Sequence, residues 1–169
     1  DINLKQAWET YGNGSHDTIV AMIDTGIDAS HEDLKDTLWV NTDEIPENGI
    51  DDDGNGYVDD CYGWNFYNNN NQIFTGNEDS HGTHGAGTIS AGTGNGIGIA
   101  GIVPGNRVRV MALKALGGTD GGGRTAAVIK AVRYAEDNGH VICTLSLTHT
   151  VDDKETSEGM KNSSQPFVV

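Results

Sequence analysis

The chain of 169 residues has no apolar run near the roughly 18 residues that a membrane-crossing helix needs, so membrane insertion is not expected. Its first nine residues lack the basic start and apolar stretch of a signal peptide, and it reads as a mature segment whose leader is already absent. Two cysteines, Cys61 and Cys143, are too few for a disulfide framework, and their spacing does not say whether they pair. Cations are scarce too: ten Lys and Arg stand against 25 Asp and Glu, for a formal net charge of −15. Nucleic acids and anionic membranes are gripped by Lys and Arg, so neither is a candidate partner. From Asp36 to Asn106 there is no Lys or Arg at all, yet carboxylates crowd the stretch from Asp36 to Asp79. That run needs counter-charge, from solvent around an acidic face or from bound divalent cations.

Glycine is abundant instead, 24 residues, about twice its usual share, which favours tight turns and close backbone approaches over a helical bundle. Thr18–Ile23, Val108–Leu113, Val141–Leu147 and Phe167–Val169 are short, continuously apolar runs, the pattern of strands buried on both faces. Between the second and third lies a helical stretch, Thr125–Asn138. Val128, Ala131, Val132 and Ala135 share one face of it, and Gly139 stands where a C-terminal cap is expected. Apolar strands separated by helices imply an α/β fold, a mostly parallel sheet with helices on both faces.

In such sheets, ligands and catalytic groups collect beyond the carboxyl ends of the strands. Asp24 follows the first strand at that place, although Asp-Thr-Gly also makes an ordinary turn. The second feature is Asp79-Ser-His81-Gly-Thr-His84-Gly-Ala-Gly-Thr88, where small residues allow a helix to begin in a tightly packed place. With His84 in the first turn, the helix dipole favours its neutral imidazole, the form a general base needs. His81 and His84 at i, i+3 also suit a metal, but zinc wants a third ligand at recognisable spacing, and His140 and His149 offer none.

Val20-Ala-Met-Ile-Asp24-Thr-Gly-Ile-Asp28 with His31-Glu-Asp-Leu34 resembles the catalytic aspartate motif of the subtilisin-like serine proteases. His81-Gly-Thr-His84-Gly-Ala-Gly-Thr88 resembles their histidine motif, and Ile97–Pro104, Lys114–Gly117, Asp120–Gly123 and Leu145–Leu147 follow in register. The resemblance implies a three-layer subtilisin-like catalytic domain, of which residues 1–169 are the N-terminal part, and a serine endopeptidase that is secreted or at the cell surface. It assigns Asp24 to orient a catalytic His84, and the segments Gly121-Gly122-Gly123 and Ser146-Leu147-Thr148 to flank an extended peptide or protein substrate. The family's nucleophile in a Gly-Thr-Ser context and its oxyanion asparagine are absent from the sequence. Both are expected in a missing C-terminal half, without which the chain is expected to be inactive; a non-catalytic, calcium-binding relative that binds peptides is the alternative. Gly85 stands where the family usually has valine, Thr144 where asparagine is common, and Thr148 where glycine is usual beside the specificity pocket.

Asp51-Asp-Asp53-Gly-Asn55-Gly56-Tyr57 carries side-chain oxygens at positions 1, 3 and 5 and glycine at 6, the spacing with which a loop wraps Ca²⁺. Tyr62 occupies position 12 instead of a bidentate glutamate, so Asp60 or Asp59 is expected to close the shell, with Tyr57 contributing at position 7. A second calcium site is implied by the family resemblance alone. There Asp33 and Asn95 would contribute side chains, and Ile97 and Ile99 their carbonyls.

Overall fold

The computed structural model describes residues 2–12, 14, 16–105, 107–139, 141–148 and 154–169. His140 and His149 lie outside them. Helix α1 spans Leu4–Tyr11 and β1 spans Thr18–Asp24; β2 (Gly63–Asn65), α2 (Ser80–Ser90) and β3 (Val108–Lys114) follow. The hairpin strands β4 (Leu116–Gly117) and β5 (Gly122–Gly123) lead into α3 (Thr125–Asp137), then β6 (Val141–Thr144), α4 (Lys154–Asn162) and β7 (Phe167–Val168). The main sheet has the order β2-β3-β1-β6-β7, and every neighbouring pair in it is parallel.

Alternation along β1 and β3 divides the core in two, because successive strand residues face opposite ways. Ala21, Ile23, Met111 and Leu113 join Val128, Ala131, Val132 and Ala135 of α3 in one apolar cluster. Val20, Met22, Val108, Val110 and Ala112 join Ala86 of α2 with Leu34 and Leu38 in the other. A helix thus covers each face of a parallel sheet, as the apolar runs predict, and the four α3 positions read from the sequence are all buried. The chain ends α3 at Asp137, and Gly139 follows with φ of +111°, a backbone conformation natural to glycine.

Short elements escape the apolar pattern. β2 is three residues long, and Gly63 within it has φ of +123°. The hairpin is built largely of glycine, and α1 and α4 bury little, although Leu4, Ala7, Trp8 and Tyr11 of α1 fall at helical spacing. Gly85, where the family usually has valine, faces Met22: the methionine methyl occupies the space that a Cβ at 85 would take.

Cys61 and Cys143 are both buried and unpaired. Burial pushes both thiols up, Cys143 to about 11 from 9.0. The folded state holds the Cys143 proton more tightly than the unfolded state does, so this contribution to stability is complete below pH 9 and fades as pH rises toward 11. Thiol reagents at pH 8 should therefore label neither cysteine in the native protein and both in denaturant. Rapid stoichiometric labelling without denaturant would contradict this burial.

Candidate active site

β1 is the central strand, with β3 on one side and β6 on the other. Its carboxyl end is therefore the switch point where an open parallel sheet leaves a crevice. Asp24 sits there, fully buried. A buried carboxylate needs donors, and Asp24 has them: the Thr25 N–H donates to Oδ1 at 2.6 Å. The Nδ1 of His81 lies 2.8 Å from Oδ1 and 3.0 Å from Oδ2.

The sequence reading put His84 in this role, and the structure corrects it. Helix α2 begins at Ser80, after a 3₁₀ turn over Asn77–Asp79, so the first-turn histidine is His81. His84 lines a different hollow, with Asp28, His31, Leu34 and Phe74. Two glycines make the Asp24–His81 approach possible. A Cβ on Gly82 would strike the Gly26 carbonyl, and Gly26 itself, at φ of +121°, would drive one into the Ile73 carbonyl. Without side chains there, the start of α2 closes onto the end of β1. The Gly82 N–H then donates to Thr25 Oγ1 at 3.1 Å.

Behind this contact lies a group the sequence reading missed. Lys114, the last residue of β3 and the register partner of Asp24, is buried, and its Nζ donates to Asp79 Oδ1 at 2.6 Å. It also donates to the carbonyls of Thr25 and Leu116, so all three ammonium hydrogens have acceptors. The other Asp79 oxygen accepts the Thr75 N–H and hydroxyl. A lysine closing an apolar strand, in a chain poor in cations, was the available signal.

The exposed imidazole of His81 opens on a cleft whose walls include Gly121, Gly122, Gly123, Ser146, Leu147 and Thr148. Both segments named from the sequence thus border the same cleft as His81. Gly122 and Gly123 are exposed and pair with β4 on one side only.

The acidic loop folds around its carboxylates. Among the described residues, Glu44, Asp51 and Asp53 bring carboxylate oxygens within 4.8 Å of one another. Three clustered carboxylates in a stretch without Lys or Arg are the hard-oxygen donor set that Ca²⁺ takes. Glu44 lies outside the 12-residue window, which is why the loop spacing did not reveal it. Asp59 and Asp60 do not close this group. Asp59 accepts the N–H groups of Asn48 and Gly49. Asp60 is buried, and its oxygens accept from Asn41, Asn55 and the Tyr134 hydroxyl of α3. Asn55 spends its amide on Asp53 and Asp60 and its oxygen on the Tyr57 N–H, while the Tyr57 ring packs edge-on against Trp64 and Tyr134.

At the second loop, Asp33 accepts the Asn95 amide at 2.8 Å and the Ile99 N–H at 3.1 Å, and Asn95 Oδ1 accepts the Ile97 N–H. The Asn95 hydrogen bond foremost, with the Ile99 N–H and nearby His31, holds the Asp33 carboxyl below its usual range although burial opposes this. These contacts bring the four residues together through the Asn95 NH2, which faces Asp33 in place of its oxygen, and through the Ile97 and Ile99 N–H groups, not through the two carbonyls named for a cation.

The Subtilase family model matches residues 15–167. The chain belongs to the subtilase family. Subtilisin-like protease 1 of Plasmodium vivax is 49% identical over 86 residues, covering 50% of this chain and 13% of that protein. The major intracellular serine protease of Bacillus subtilis is 36% identical over 144 residues, 85% of this chain and 38% of the relative. Thermitase of Thermoactinomyces vulgaris is 32% identical over 151 residues, 89% and 43%. This subtilase chain spans less than half the length of each of these relatives.

Removing one member of a buried ion pair strands the other charge, at a cost of about 3–5 kcal/mol. Lys114→Met should destabilise the fold by that order in denaturant melts. A midpoint equal to wild type would mean that the pair is not closed from solvent.

Proposed function

We propose that this chain is part of the catalytic domain of a serine endopeptidase, contributing two of its three catalytic groups, Asp24 and His81. The observation that carries the proposal is the 2.8 Å contact between a buried carboxylate and an imidazole that opens on a peptide-sized cleft. With the Nδ1 proton donated to Asp24, the Nε2 lone pair faces outward. It can take the proton of a serine hydroxyl as that oxygen attacks a peptide carbonyl, then return it to the leaving amine. Asp24 fixes the tautomer and stabilises the imidazolium that forms in between.

The serine belongs to a segment beyond these 169 residues, since no serine here stands in a Gly-Thr-Ser context. The chain alone is then inactive. The substrate is an extended peptide or protein segment, laid between the bare backbone of Gly121–Gly123 and Ser146–Thr148, where its main chain can add as a strand. Thr148 is exposed in the cleft wall and narrows the pocket for the side chain before the scissile bond.

Calcium is the cofactor of this reading and its role is structural. Glu44, Asp51 and Asp53 would hold one ion, with oxygen from the Asn55–Tyr57 segment, and Asp33, Asn95, Ile97 and Ile99 a second. Such ions would replace the missing basic side chains. Loops of this kind suit calcium-rich surroundings, and we take the enzyme to be secreted or at the cell surface.

Two measurements on the full-length protein test the proposal. His81→Ala should remove peptide hydrolysis to within background, whereas His84→Ala should leave most of it; the reverse pattern would restore the His84 assignment. Chelation should lower the melting temperature and added Ca²⁺ restore it, since a ligand of the folded state stabilises by mass action, about 2.7 kcal/mol at a hundredfold excess over Kd. Glu44→Gln should blunt that response. Identical melts in chelator and calcium would leave the acidic loop as solvated surface.

A further inference from the structure

Lys114 and Asp79 form a fully buried ion pair directly behind the Asp24–His81 contact. Stability alone does not account for it. A buried ion pair gives up the hydration of two ions, and apolar replacements of both partners are often neutral or stabilising. What the pair supplies here is geometry, because its partners belong to separate pieces of chain. The ammonium donates to the carbonyl of Thr25, the residue after Asp24. It donates to Asp79, two residues before His81. Its third hydrogen goes to the Leu116 carbonyl in β4, the strand that backs the Gly122–Gly123 edge.

Thr25 continues the connection. Its N–H donates to Asp24 Oδ1, and its hydroxyl accepts the N–H of Gly82, the neighbour of His81. A single ammonium thereby fixes the turn that aims Asp24 and the turn that launches His81. The Tyr67 ring, with its centroid 5.6 Å from Nζ, and the close backbone of Gly117 leave it little room to move. We propose that Lys114, through Asp79 and Thr25, is the positioning residue of the Asp24–His81 pair. The proposal rests on the proteolytic reading for its kinetic consequence but not for its structural one.

The test uses the full-length protein carrying Lys114→Met with Asp79→Asn, which removes both charges together, and separately Thr25→Val, which leaves the ion pair and deletes the hydroxyl. Three readouts are taken: thermal melting, kcat and KM on a chromogenic peptide, and amide hydrogen exchange at Gly82. The double variant should melt close to wild type, yet lose about 100-fold in kcat, the order expected of a misplacement near 1 Å. KM should stay within a few-fold. Gly82 exchange should accelerate in both variants, a readout that needs no turnover and so separates failure of this proposal from failure of the proteolytic reading. Wild-type kcat and Gly82 protection in a folded double variant would overturn it. If the double variant does not fold, Thr25→Val decides: protection and kcat at wild-type levels would equally overturn it.

Discussion

A carboxylate buried at the carboxyl end of a central strand has to be satisfied by groups brought to it, and much of the architecture follows from satisfying Asp24. The strand cannot do this alone, because its own hydrogen bonds are spent on β3 and β6. The Thr25 N–H and His81 Nδ1 arrive instead, one from the turn after β1 and the other from α2. Bringing α2 that close requires glycine at 26 and 82. Helix propensity falls by about 1 kcal/mol for each glycine relative to alanine, so α2, with three of them, depends on packing against the sheet through Ala86 and its neighbours.

The acidic loop is tied into the same body by a different route. Asp60 is held by Asn41, Asn55 and the Tyr134 hydroxyl, and burial together with Asp60 keeps the Tyr134 phenol strongly protonated. Tyr134 stands on α3, the helix that continues directly from the Gly122–Gly123 edge. Loop, core helix and cleft wall are thus mechanically continuous, and an ion held by Glu44, Asp51 and Asp53 would act on a rigid anchor.

The sheet and α3 were legible in the sequence because continuous apolar runs and a 3.6-residue period are direct consequences of burial. The hairpin and β2 were not, since short, glycine-rich segments leave no such trace, whereas the period of Leu4, Ala7, Trp8 and Tyr11 in α1 was there to be read. Asp24 was legible from its place after β1. The motif offers two histidines, and the reading took His84 for the one in the first turn: with α2 beginning at Ser80, His81 rather than His84 faces Asp24. Glu44 was hidden because it precedes the 12-residue window that the loop spacing defines. Lys114 was hidden because its partner Asp79 lies far away in the chain, where local spacing carries no signal.

The central claim is that the imidazole facing the peptide cleft is that of His81. A peptidyl chloromethyl ketone tests it directly in the full-length protein. It places an electrophilic carbon in the cleft, where an imidazole nitrogen forms the N–C bond as chloride leaves and a proton is released. Peptide mapping by mass spectrometry should find the adduct on His81, lost in the Asp24→Ala variant. An adduct on His84, or labelling of His81 that does not depend on Asp24, would contradict the claim.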